Sequence, residues 1–275
     1  MPTAVLIGAG PGLGSALAHR LAREGYDLAV ISRNPQRHVD RLRDGLPGAA
    51  RVEGFAADVT QPTTLVAALD RVVEIFGDVD VVYYGPSLHD VTAEQKTITQ
   101  IDGADVAAAM GGVYPAMDVV SKVLPSMLER RKGALLFASA ISAVMPIPEL
   151  GAMTVPASVA RGYALTLNAA LAPQGVYAGV LVIGGLIAGS GIHEAMAADP
   201  ERFGPVDSSL LLDPERVADI AMDLIAKRSA PEAVVTPGAK GVGLTMLLIG
   251  RLIRVPMRNG RARRRSGAGR AVAER

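Results

Sequence analysis

Short apolar runs alternate with amphipathic stretches along the first 240 residues. The runs are TAVLIG (3–8), DLAVIS (27–32), RVEGFAAD (51–58), VDVVYYG (79–85), GALLFAS (133–139) and VYAGVLVIG (176–184). Each is short, rich in branched aliphatic residues and almost free of the alternation that marks a half-exposed strand, so each reads as a strand buried on both faces. Between them lie helical stretches at 12–25, 34–46, 62–77, about 105–131 and about 151–171, with a late amphipathic helix at 213–228. That last helix has Asp213 at its N-cap, Pro214 at its first position, and Lys227 and Arg228 in its last turn. These are the residues that a helix start and a helix dipole favour. Strand-helix alternation with buried strands predicts an α/β fold: a single-domain, Rossmann-type, doubly wound parallel sheet with helices on both faces. The expected domain covers residues 1–238, followed by an apolar segment at 239–258 and a basic, disordered tail at 259–275.

The first run leads directly into GAGPGLG, with glycines at 8, 10, 12 and 14. The spacing G-x-x-x-G-x-G fits Gly8, Gly12 and Gly14, whereas G-x-G-x-x-G fails at Leu13 or Ser15. Between a first strand and a first helix, such a loop lets backbone approach a phosphate that the helix N-terminus then holds. The alternative is a tight turn with no ligand. The second run ends at Ser32-Arg33-Asn34. An acid there would bond a free ribose 2′-hydroxyl, while the guanidinium of Arg33 suits a 2′-phosphate, so NADP(H) is expected rather than NAD(H). The alternative is a solvated arginine among the further basic residues at 37, 41 and 43. Asp58, after the third run, is placed to accept from an adenine amino group, with Val59 beside it.

Composition narrows the chemistry. The chain of 275 residues has no cysteine, so thiolate metal sites, disulfides and cysteine nucleophiles are excluded. His19, His38, His89 and His193 show no ligand spacing, and no metal site is expected. No run reaches the ~18 apolar residues of a membrane-spanning helix. No basic leader precedes the first strand, so a cytoplasmic protein is expected. The net charge of +1 conceals an asymmetry: residues 251–275 carry nine arginines and one acid. The apolar, arginine-bearing stretch at 241–258 could pack on the body, cover a crevice, join a dimer interface or lie on an anionic membrane surface. Nucleic-acid binding is not expected, because stacking aromatics are absent from the basic end.

Taken together these features resemble the short-chain dehydrogenases/reductases. The resemblance spans nearly all of residues 3–230. It rests on the glycine loop, the Asp-Val after the third strand, FGDVDVV before the fourth, KVLPSMLERRKGALLFAS, and RGYALTLNAALAPQGVYAGVLV. It implies a nicotinamide cofactor contacted at Gly8, Gly12, Leu13, Gly14, Arg33, Asp58, Val59, Gly85 and Gly185. It also implies a small-molecule substrate, and a homodimer or homotetramer built on the helices at 105–131 and 151–171. The family works with an Asn, a Ser and a Tyr-x-x-x-Lys pair, in which the Tyr exchanges a proton with the substrate oxygen while the nicotinamide exchanges a hydride. Those positions fall here on Gly112, Ala140, Met153 and Ala157, and no Y-x-x-x-K occurs anywhere in the chain. Loss of a positioned acid or base lowers such rates by about 10²–10⁴-fold.

Ser142 and Tyr84 are the remaining candidates for substrate contact, each with a bland alternative as a turn serine or a packed aromatic. Ser87, His89, Tyr114 and Ser139 lie near the same strand ends. Tyr163 reads as core. Pro156 predicts that the helix at 151–171 begins differently from that of the family. Two readings stay open: an oxidoreductase with an atypical active site, its substrate near Ala140, Ser142, Met153 and Gly185, or a catalytically degenerate protein that senses NADPH, regulates a partner or performs non-redox chemistry.

Overall fold

The computed structural model describes residues 1–46, 50–86 and 96–238. Strands β1 (Thr3–Ile7), β2 (Asp27–Ser32), β3 (Val52–Ala56), β4 (Val81–Tyr84), β5 (Gly133–Ala140) and β6 (Val176–Ile183) coincide with the six apolar runs. They form one parallel sheet with a seventh strand, in the order β3-β2-β1-β4-β5-β6-β9. The seventh is β9 (Glu232–Val235), four residues too short to announce themselves in the sequence. A separate two-stranded ladder joins β7 (Leu186–Ile187) to β8 (Leu211–Leu212).

Helices cover both faces. On one face lie α1 (Leu13–Arg23), α2 (Pro35–Arg43) and α9 (Pro214–Lys227), packed on Ala4, Leu6, Leu28, Val30 and Leu136. On the other lie α3 (Pro62–Phe76), α5 (Tyr114–Glu129) and α6 (Gly151–Leu171), packed on Val5, Ile7, Ile31, Val82 and Leu135. Adjacent strand residues thus enter opposite cores, which is why the runs are apolar at every position. Asp213 caps α9 by accepting from the Glu215 amide, with Pro214 next in line.

One expectation needs correction. The stretch expected as one helix at 105–131 is two, α4 (Gly103–Met110) and α5, because Gly111-Gly112 loosens the backbone and Pro115 suits a new first turn. Pro156 lies inside α6, which runs through it from Gly151. Its missing N–H leaves the Ala152 carbonyl without its helical donor. The shorter α7 (Gly191–Ala198) and α8 (Pro200–Phe203) follow β7. Among the described residues no helix is long and apolar enough to cross a membrane. The segments 239–258 and 259–275 lie outside the described residues, as do Ser87 and His89.

Candidate functional site: the glycine loop and the crevice beside it

The chain reverses direction across the sheet between β1 and β4, so their C-terminal ends open the crevice where such sheets take ligands. The glycine loop sits there. Gly8 has φ of +113° and faces the backbone of Gly85, whose oxygen would lie 2.4 Å from a Cβ on Gly8. A Cβ on Gly14 would lie 2.1 Å from the Gly8 carbonyl oxygen. Both glycines are therefore demanded by packing within the protein. Gly12 is the N-cap of α1 and supplies no side-chain cap, so the first-turn amides of Leu13 and Gly14 have no intrahelical acceptor. Leu13 points its side chain into the core, leaving its amide as its contribution to the loop.

A second helix terminus meets this loop, a feature the sequence reading missed. A Cβ on Gly12 would lie 3.0 Å from Ile187 Cγ2 and 3.3 Å from Ser190. Ser190 caps α7 by accepting from the His193 amide. The N-termini of α1 and α7 thus converge, and both attract negative charge. The available signal was a serine ahead of a first turn holding Glu194. Gly185, by contrast, is packed from within the protein: its Cβ would lie 2.8 Å from the Leu210 carbonyl oxygen and 2.9 Å from Pro237 Cγ.

At the far edge Arg33 is exposed just past β2. One carboxylate oxygen of Asp58 accepts from the amide and hydroxyl of Thr60 at 2.9 and 2.8 Å. Those bonds, with Arg33 nearby, hold the Asp58 carboxyl below its usual range. Val59 is buried in the core.

The other end of the crevice joins β4, β5 and α6. Tyr84 is buried and donates its hydroxyl to the Gly112 carbonyl at 2.8 Å. Burial, helped by Asp118, pushes its phenol well above its ordinary value, so it keeps its proton and is a poor acid. The Ser139 hydroxyl donates to the Ala157 carbonyl at 2.9 Å, which locks the end of β5 to the second turn of α6. Ala140 and Met153 are half-buried. Ser142, in the 3₁₀ turn Ile141–Ala143 that follows β5, is 4% exposed and its Oγ has no partner. Of the two candidates, Ser142 alone has an uncommitted hydroxyl. Tyr163 packs edge-on against Phe137 with ring centroids 5.9 Å apart, as a core residue does. Tyr114, at the start of α5, is 56% exposed.

Residues 2–197 match the model of the short chain dehydrogenase family. The chain is 31% identical over 183 residues to the human "Dehydrogenase/reductase SDR family member 2, mitochondrial", covering 66% of this chain and 64% of that protein. It is 29% identical over 187 residues to the human "Inactive hydroxysteroid dehydrogenase-like protein 1", covering 65% and 54%. The chain spans roughly half to two thirds of these relatives' length. Among solved structures, the fold is similar to L-sorbose reductase from Gluconobacter frateurii, complexed with NADPH and L-sorbose. The TM-score is 0.68 at 20% identity, with 86% and 95% of the two chains covered. It is also similar to a short chain oxidoreductase from Pseudomonas aeruginosa PAO1 "containing an atypical catalytic center", with a TM-score of 0.71, 18% identity and coverage of 87% and 97%. With the family model matching most of its length, the chain belongs to the short-chain dehydrogenase/reductase family.

Proposed function

We propose that this chain is an NADP(H)-binding oxidoreductase with an atypical active site. The observation that carries the reading is the glycine loop: uncapped first-turn amides of α1 meet the N-terminus of α7, with Arg33 standing at the end of the neighbouring strand. Gly8, Gly12, Leu13, Gly14 and Gly85 would hold the pyrophosphate side, Arg33 the 2′-phosphate, Asp58 and Val59 the adenine, and Gly185 the nicotinamide end. NADP(H) supplies or accepts a hydride when bound.

The chain's own part is to hold a small organic substrate beside Ala140, Ser142 and Met153. A buried hydroxyl without a partner costs about 1–3 kcal/mol, and a substrate oxygen accepting from Ser142 would offset it. Gly112, Ala140, Met153 and Ala157 bring no proton donor to the family's catalytic positions. The reaction that fits is therefore hydride transfer that does not depend on a Tyr-Lys pair. A second copy of the chain is expected to pack against α5 and α6, in a homodimer or homotetramer.

The test is a fluorescence titration of the purified protein with NADPH and NADH. Arg33→Ala should raise the Kd for NADPH by about tenfold and leave that for NADH within about twofold, since one charge-assisted pair is worth about 1.5–3 kcal/mol. Failure of the wild-type protein to bind either nucleotide would sink both this reading and the NADPH-sensor reading. The competing view, a catalytically degenerate regulator or non-redox enzyme, draws support from the four family positions just named. Nucleotide binding without hydride transfer to any carbonyl, imine or activated alkene would favour it. Ser142→Ala should keep or raise stability in urea by up to about 1 kcal/mol while weakening substrate binding. A clear loss of stability would instead assign Ser142 a structural partner.

A further inference from the structure

An amphipathic helix is held in place by the apolar face it buries. In α7 none of the eight residues is buried. Ile192, Ala195 and Met196 are three and four residues apart, share one side of the helix and are only half-buried. Phe203 and Val206, at the end of α8 and just past it, are half-buried too. α7 rests on β7 and α8, both short, and its N-terminal Ser190 stands against Gly12 of the glycine loop.

Carboxylates surround this face. From Leu186 to Glu215 the chain holds six acids, Glu194, Asp199, Glu201, Asp207, Asp213 and Glu215, against one arginine, Arg202. All six are exposed. Asp199 and Asp213 cap α8 and α9. Glu194, Asp199, Glu201, Asp213 and Glu215 form no ion pair among the described residues.

The chain that follows β9 has the complementary character. Residues 241–258 interleave Leu248, Ile249, Leu252 and Ile253 with Arg251, Arg254 and Arg258, and hold no acid. Their starting point is also close. The Gly184 amide bonds the Val235 carbonyl at 2.8 Å, and Pro237 leaves no room for a Cβ on Gly185, one residue before β7. The chain thus leaves β9 beside the connection that leads to α7. A segment tethered by so short a link meets that surface at an effective concentration on the order of millimolar.

We propose that residues 241–258 dock on α7 and α8 of their own chain, with apolar side chains against Ile192, Ala195 and Met196 and arginines against Glu194 and Glu201. An anionic membrane is a poorer match for the same segment, because the carboxylates around its point of exit would be repelled. Docked there, the segment holds α7 beside Gly12 and closes that flank of the crevice. The docking does not depend on a bound dinucleotide.

Hydrogen exchange of the full-length protein tests this. Arg251→Glu, Arg254→Glu and Arg258→Glu made together should speed exchange of the α7 amides by about tenfold and leave those of β1 and β5 unchanged. Glu194→Arg with Glu201→Arg should do the same. Combining the two sets exchanges the charges and should return α7 to within about threefold of wild type. Unchanged α7 exchange in the arginine variant, or no recovery in the combined one, would overturn the proposal. So would a loss of wild-type α7 protection on dilution, in step with oligomer mass, which assigns the face to a second copy. An arginine variant that keeps its α7 protection but no longer sediments with phosphatidylserine vesicles would assign the segment to an anionic membrane instead.

Discussion

Gly14→Ala should destroy nucleotide binding and destabilise the fold at once. The added methyl would stand 2.1 Å from the Gly8 carbonyl oxygen, 2.8 Å from Ala9 Cα and 3.0 Å from the Ala9 carbonyl carbon. All three are backbone atoms, so no side chain can rotate away. The loop has to move by about an ångström against the bonds from the Ser15 amide and hydroxyl to the Gly10 carbonyl. Overpacking of this kind costs about 1–3 kcal/mol, and the displaced backbone is the part expected to meet the pyrophosphate. Gly10→Ala is the control. Nothing lies within 4 Å of its added methyl, so its stability should stay within about 0.5 kcal/mol of wild type. Urea unfolding and NADPH titration of both variants check the contrast. A Gly14→Ala protein with wild-type stability would refute the packing argument.

Asp80→Ala should cost about 3 kcal/mol. Asp80 is 8% exposed at the N-terminal end of the sheet. It accepts from the Thr3 amide at 3.0 Å and pairs with Arg130 at 3.0 Å and Lys132 at 2.9 Å. Its backbone bonds Thr3 on one side and Ala134 on the other, so one residue ties β1, β4 and β5 together. Lys132 is well exposed and adds little; the loss comes from the buried Thr3 amide and from Arg130. Burial raises the Asp80 carboxyl, but the bonds from Lys132, Thr3 and Arg130 outweigh it and hold the value below the ordinary one. The folded state therefore binds its proton more weakly than the unfolded state. The stabilisation is complete above the ordinary carboxylate value of about 4 and disappears as pH falls through the lower, folded value. Asp80→Asn should lose less at pH 7 and show a shallower acid limb. Urea unfolding at neutral and acidic pH measures both effects.

Strands were legible wherever burial on both faces made them uniformly apolar, as in TAVLIG and VYAGVLVIG. Glu232–Val235 was not, because four residues beside a proline carry too little pattern to distinguish a strand from a loop. The helix break at Gly111-Gly112 was visible as a glycine pair, but the flanking apolar residues continue the helical period across it. Pro156 lies within the stretch read as a helix at 151–171, and α6 runs through it with one backbone bond missing. At the candidate site the glycine spacing and Arg33 were readable one residue at a time. Which hydroxyl remained free was not: Tyr84 and Ser142 look alike as candidates until the Gly112 carbonyl is seen to claim one of them. The basic residues of α2 read as a solvated face. The structure encloses one guanidinium nitrogen of Arg41, which the charge pattern alone does not reveal.

The strand order also has a consequence in time. β1 pairs with β2 and β2 with β3, so one side of the sheet needs only the first 56 residues of the chain. The other side of β1 waits for β4, which ends at residue 84. During synthesis a growing chain between those lengths carries an open row of backbone donors and acceptors beside Val5 and Ile7, at what later becomes the centre of the sheet. Parallel pairing of distant segments is slow, and an unpaired apolar strand invites association with other chains. The arrangement that places a ligand crevice between β1 and β4 is therefore the same one that leaves the newborn protein most in need of protection.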